Sequence, residues 1–154
     1  MKIVLALAMF VVVSGVFVSR GVSAKSSYEL FYPIVAGKVP GDSWYSLKML
    51  REKFVALLLF DNDKKIDYHT SLSKKRLVEG EKLIVEKKNY ALGIKSLENS
   101  VRESEKVWSL VKNGGPVEDT LVEANFMATL AEMTPGDEAK KITDLARRMK
   151  DLVK

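Results

Sequence analysis

Cysteine is absent from all 154 residues, and histidine occurs once, at His69. Each scarcity removes a class of chemistry. Without cysteine there is no thiolate nucleophile, no disulfide framework, no Cys-based zinc site and no lipobox. His69 alone cannot build a histidine-rich zinc site, and no Gly-x-Ser-x-Gly elbow accompanies it for triad hydrolysis. It reads as a partly buried histidine that bonds a neighbouring helix. Gly114-Gly115-Pro116 lacks the lysine and strand context of a phosphate-binding loop. Asp61-Asn62-Asp63 lacks the glycine and closing glutamate of a helix–loop–helix calcium site. We therefore assign no catalytic residue, no metal ligand, no cofactor and no enzymatic activity.

A one-sided charge balance is also missing. The net charge is +5, and Lys2 and Arg20 lie in the first 24 residues, where there is no acid. The remainder carries 23 basic against 20 acidic residues, interleaved as in Arg102-Glu103-Ser104-Glu105-Lys106. Nucleic-acid domains gather far more positive charge on one face, so nucleic acid is not expected as a partner.

What is present begins with Lys2 and the run Ile3 to Val18, apolar apart from Ser14 and Gly15. Val22-Ser23-Ala24 then offers small residues of the kind a signal peptidase reads. Residues 1–24 read as a cleavable secretory signal, with Lys25 as the mature N-terminus and an extracytoplasmic destination. The alternative is an uncleaved anchor, which would make residues 1–24 the only membrane contact. As a helix, the run would rise about 24 Å, short of the roughly 30 Å hydrocarbon core.

Residues 25–41 read as an extended aromatic leader, punctuated by Pro33, Gly37, Pro40 and Gly41. Its apolar side chains, among them Tyr28, Phe31, Tyr32 and Val35, suit a strap across a helical body. Residues 42–154 read as an all-α antiparallel bundle of about five helices. The first starts at Asp42 or Ser43 as N-cap and runs to about Phe60. Leu47, Leu50, Phe54, Leu57 and Leu58 make a stripe at helical spacing, extended by Trp44. The second half, Phe54 to Phe60, is apolar on nearly every side. Such an end is buried among neighbours or sits against a membrane or partner, with burial the default expectation.

The second helix runs from about Lys64 to Lys87, with Ile66, Leu72, Leu77, Leu83 and Ile84 on one arc from which His69 and Arg76 also project. A buried guanidinium must meet carboxylates or carbonyls, and Glu52, Glu98 and Glu105 are the candidates for a structural bridge. Lys88-Asn89 is a short turn, so the second and third helices pair as a central hairpin. The third carries Tyr90, Ile94, Leu97, Val101, Ser104, Trp108 and Val111 at alternating 4-3 spacing, with Ser104 its polar member. The fourth, about Pro116 to Met133, is read as burying Leu121, Ala124, Ala128 and Ala131, with Phe126 and Leu130 broadening the face. The fifth presents Ala139, Ile142, Ala146, Met149 and Val153.

Several stretches of this text resemble a family of exported helical domains of unknown function found widely in candidate-phyla bacteria. They are Tyr28-Glu29-Leu30-Phe31-Tyr32-Pro33, Pro40-Gly41-Asp42-Ser43-Trp44-Tyr45 with Leu47-Lys48, Arg51-Glu52-Lys53, Asp63-Lys64-Lys65, Lys75-Arg76-Leu77 with Glu79, and Glu86-Lys87-Lys88-Asn89-Tyr90 with Ala91. The chain departs from the family in lacking a proline after Asp61. It is also similar in style to a tetratricopeptide-type hairpin, without the 34-residue repeat. The resemblance implies a signal peptide, an extracytoplasmic location and a helical hairpin fold, with no activity or site. The functional expectation is a non-enzymatic extracytoplasmic module that binds a protein partner or envelope component. The alternative is a periplasmic chaperone or stress-sensor domain of helical-hairpin type.

Overall fold

A computed structural model describes residues 25–111 and 114–154; the segment read as a signal, residues 1–24, lies outside the described residues. The architecture is an all-α helical bundle, and no strand occurs among the described residues. The helices are α1 (Ser27–Phe31), α2 (Tyr45–Leu58), α3 (Asn62–Glu81), α4 (Tyr90–Leu110), α5 (Val117–Glu132) and α6 (Gly136–Asp151). The sixth element beyond the expected five is α1, a short helix inside the leader.

Two antiparallel hairpins, α3–α4 and α5–α6, pack together, with α4 against α6 and α5 against α3. Local chemistry sets their ends. The Asp61 carboxylate accepts the Asp63 N–H at 2.9 Å and starts α3, two residues earlier than the expected Lys64. The Asn89 side chain accepts the Leu92 N–H at 3.2 Å and starts α4. Between them α3 widens into a π-helical turn, Lys82–Glu86, in which Lys87 N–H donates to the Lys82 carbonyl at 3.1 Å. Leu83 and Ile84 within this turn are both buried.

The α3–α4 crossing is close. A Cβ placed on Gly80 would lie 2.6 Å from Leu97 Cδ2, and one on Gly93 would lie 2.4 Å from Ile84 Cγ1. Around this crossing Leu77, Leu97, Val101, Met127, Leu130, Ile142 and Met149 form a fully enclosed core. Along α4 the expected seam holds: Ile94, Leu97, Val101 and Ser104 are buried, with Tyr90 and Trp108 partly so. The leader contributes Phe31, which meets Phe126 of α5 edge-on at 5.5 Å, together with buried Ala36 and Val39. Tyr28 and Tyr32 stand outside, edge-on to each other.

Three local expectations are corrected. On α5, Ala128 is exposed, and the inward face carries Thr120, Glu123, Ala124, Phe126, Met127, Leu130 and Ala131. Burying Phe126 and Met127 removes far more apolar area than burying Ala128, so the helix rolls toward them. Neither Asp42 nor Ser43 caps α2. The helix begins behind Trp44, which has φ 70°, while the Asp42 carboxylate accepts the Val39 N–H at 2.9 Å and pairs with Lys87 at 2.6 Å. The largest difference is the orientation of α2 itself.

Candidate functional site

Helix α2 is amphipathic in the reverse of the expected sense. Residues at 100° per step divide it into two faces, one carrying Tyr45, Lys48, Met49, Glu52 and Ala56, the other Leu47, Leu50, Phe54, Leu57 and Leu58. The polar face is the one turned to the bundle, and Glu52 is the buried residue of the helix. The apolar face is turned to solvent: Leu57 is 74% exposed, Leu58 69% and Phe54 58%. Trp44 before the helix and Phe60 after it are also open, and Trp44 lines the same groove as Leu47. The expected burial of this stripe is thus overturned. The physical reason lies beneath the other face.

There the guanidinium of Arg76 on α3 donates from Nη1 to Glu79 Oε1 at 2.7 Å and from Nη2 to Glu52 Oε2, with Met49 Sδ 3.0 Å from the same nitrogen. Lys75 Nζ reaches the other Glu52 oxygen at 2.6 Å. Lys48 Nζ pairs with Glu79 and also donates to the leader carbonyls of Ala36 at 3.1 Å and Lys38 at 2.5 Å. Tyr45 Oη donates to Glu79 Oε2 at 3.2 Å, and Tyr68 Oη to the Glu52 carbonyl at 3.0 Å. Arg76, buried beside the core of α3, is met by Glu79 of its own helix and by Glu52 from the polar side of α2. Tyr45, Lys48 and Glu52 together tie the polar side of α2 to Lys75, Arg76 and Glu79 of α3, and this network fixes the roll of the helix.

The protonation energetics agree with a fixed ion cluster. Burial pushes the Glu52 carboxyl up, but Lys75 and Arg76 outweigh it and hold the group below the usual carboxylate range. Burial lowers the Lys48 ammonium, with Glu79 opposing, and burial beside Glu79 raises the Tyr45 phenol. Of the candidate partners for Arg76, Glu52 is found. Glu98 is not in the cluster, and Glu105 pairs instead with Arg148 of α6 at 3.0 Å. Glu79, one turn along α3 from Arg76, was overlooked.

Beside the stripe, Val35, Ala36, Gly37, Trp44 and Leu47 line an open groove of about 640 Å³ whose charged members are Lys38, Lys48, Arg51 and Lys75. All four are cations. Under the second half of α2 a small cavity of about 90 Å³ touches His69, Glu52, Arg76 and Glu103, room for a few waters only. His69 Nδ1 lies 2.6 Å from Glu103 Oε2, joining α3 to α4 as a histidine bonding a neighbouring helix does.

A second polar cluster sits within the bundle. Ser73 Oγ donates to Glu123 Oε2 at 2.6 Å, Ser104 Oγ does so at 3.1 Å, and Ser100 Oγ lies 2.9 Å from Ser73 Oγ. Burial pushes the Glu123 carboxyl up to about 7 against the opposing pull of these hydroxyls. The sequence reading missed Glu123. Its signal was the pair Ser100 and Ser104, four residues apart on the buried face of α4 and opposite Ser73; Ser96, one turn earlier, faces Glu79 instead.

Among the described residues no group of three or more His, Asp or Glu side chains is arranged to hold a metal ion. Among the same residues, no buried side-chain nitrogen or oxygen lacks a hydrogen-bond partner. The arrangement can hold a helix in place and present an apolar surface with a basic border. No family model, curated protein or solved structure matches this chain.

Proposed function

We propose that the chain is a non-enzymatic extracytoplasmic helical module that docks onto a component of the cell envelope through the outward face of α2. The observation that carries this reading is the reversed amphipathicity of α2: five large apolar side chains face solvent while the polar side is locked inward. Exposed apolar patches of this extent mark interaction surfaces on soluble proteins. The signal-like run of residues 1–24, and the resemblance of Tyr28 to Ala91 to exported helical domains, support the location. The cavity at His69, about 90 Å³, is too small to take a substrate to the one histidine, which favours binding over catalysis.

The test uses the full chain in a bacterial host, with a photoreactive phenylalanine analogue at Phe54 or, as a control, at the exposed Thr143 of α6. We expect export to the envelope fraction and adducts from position 54 that are absent at position 143. Retention in the cytoplasm, or equal adduct yields at the two positions, overturns the reading.

A further inference from the structure

We propose that the outward face of α2 seats on the surface of an anionic lipid bilayer, with the helix lying in the plane of the interface. This rests on the docking reading above and names the occupant of that face.

The charge pattern selects lipid. The exposed charges of α2 are Arg51 and Lys53, both basic. On the helical wheel they flank the stripe of Leu47, Leu50, Phe54, Leu57 and Leu58 on opposite sides. An apolar stripe with one-sign basic borders is how an interfacial helix meets acyl chains and anionic headgroups together. Glu52, the one acid in the helix, is turned away and neutralised by Arg76 and Lys75.

The aromatic ends fit the same geometry. Trp44 stands before the helix and Phe60 after it, 74% and 88% exposed. The groove beside Trp44 is lined by four cations, of which Lys48 and Lys75 pair with Glu79 and Glu52 beneath it, so Lys38 and Arg51 supply its positive charge toward a phosphate-bearing headgroup next to the apolar surface. Asp61 and Asp63 follow Phe60 but stand at the start of α3, next to Lys64 and Lys65. Spanning is excluded by length. Among the described residues no helix is long and apolar enough to cross a membrane, and 14 residues of helix rise about 21 Å against a core of roughly 30 Å. A bilayer surface of uniform negative potential is matched by a rim of one sign.

The absence of native cysteine makes the test direct. The full chain carrying Leu57→Cys, or Thr143→Cys as control, is labelled with an environment-sensitive fluorophore. It is then titrated with phosphatidylcholine vesicles, with or without a quarter of phosphatidylglycerol. The expected result is a blue shift at position 57, not at 143, on the anionic vesicles. Adding Arg51→Ala and Lys53→Ala weakens that response roughly 30-fold, while far-ultraviolet circular dichroism stays unchanged.

No shift at position 57 on anionic vesicles overturns the assignment. So does an equal response to both vesicle types, or a lipid-free shift that grows with protein concentration, which would identify a second copy of the chain. If position 57 stays aqueous while Phe54 still cross-links in the envelope, the lipid assignment falls and the docking reading stands. If the cross-links are absent as well, both fall.

Discussion

Arg76 and Glu52 meet across the α2–α3 interface with both side chains almost completely buried, at 3% and 6% exposure. It belongs to a network, with Lys48–Glu79, Lys75–Glu52 and Tyr45–Glu79, that turns the polar side of α2 to the bundle and its apolar side out. Removing one partner of a buried pair leaves an uncompensated charge in a low-dielectric site. Arg76→Ala is expected to lower stability by about 3 kcal/mol in a urea melt. Glu52→Gln should act more locally, because Arg76 retains Glu79. Its expected signature is faster amide exchange in α2 with α3 and α4 protected as before. A variant Arg76→Ala as stable as the parent would show that the pair does not orient the helix.

Glu123 makes stability depend on pH in the direction opposite to that of most carboxylates. In the folded chain its carboxyl keeps the proton up to about pH 7, whereas the ordinary value is 4.5. The folded state therefore binds more protons than the unfolded state between these values, and stability falls as pH rises through that window. The groups facing it are Ser73 and Ser104, with Lys74 and Asp119 farther out and paired with each other at 3.0 Å. The loss across the window is roughly 3 kcal/mol. Glu52, held below the usual range, acts in the opposite sense: its contribution is present above that range and is lost as pH falls through its lowered value. Chemical denaturation at a series of pH values should show a maximum near about pH 5. Glu123→Gln should flatten the alkaline side and raise stability above about pH 7. A curve that keeps its slope in the Gln variant would assign the effect elsewhere.

Gly80 and Gly93 allow α3 and α4 to approach closely. Alanine favours a helix over glycine by about 1 kcal/mol, so each substitution would stabilise the chain if space allowed. Space does not allow it, because the new methyl meets Leu97 or Ile84 well inside contact distance. Gly80→Ala and Gly93→Ala are each expected to lose about 1–3 kcal/mol net. At Gly37, φ is +58° and nothing lies within 4 Å of a built Cβ. Gly37→Ala should lose only the left-handed backbone penalty, about 1–2 kcal/mol. Thermal melts of the three variants test the contrast, which fails if Gly80→Ala is stabilising.

The four helices of the two hairpins were legible because their faces obey simple periodicity. Ile94, Leu97 and Val101 recur on α4 at the spacing that burial requires, and Asn89 and Pro116 sit at the helix starts. Periodicity shows that a stripe exists but not what it faces, and α2 is where that distinction mattered. Its apolar stripe is the more obvious, yet Tyr45, Lys48 and Glu52 form a second stripe on the opposite side. The need of Arg76 for a carboxylate was visible in the sequence, and Glu52 was among its candidates. That need alone did not choose among Glu52, Glu98 and Glu105, so it left the roll of α2 open. Glu79 and Glu123 were hidden differently, since a glutamate in a charge-rich helix reads as surface until the serines facing it are placed. The π-turn at Lys82–Glu86 left no pattern that distinguishes it from an ordinary helix end.

The outward stripe yields the sharpest contrast with a buried reading. A core leucine such as Leu97, with no exposure, should cost 2–5 kcal/mol on truncation to alanine, about the usual range for a filled site. Leu57, on α2 at 74% exposure, makes few such contacts, and its replacement by serine should change stability by less than about 0.5 kcal/mol. Leu50→Gln, at 50% exposure, should behave in the same way. Both variants should also lower any tendency to self-associate, because they interrupt an open apolar surface. Guanidinium denaturation midpoints beside sedimentation velocity measure the two effects together. If Leu57→Ser is as costly as Leu97→Ala, the stripe is buried in the folded chain, and the docking face proposed for α2 does not exist.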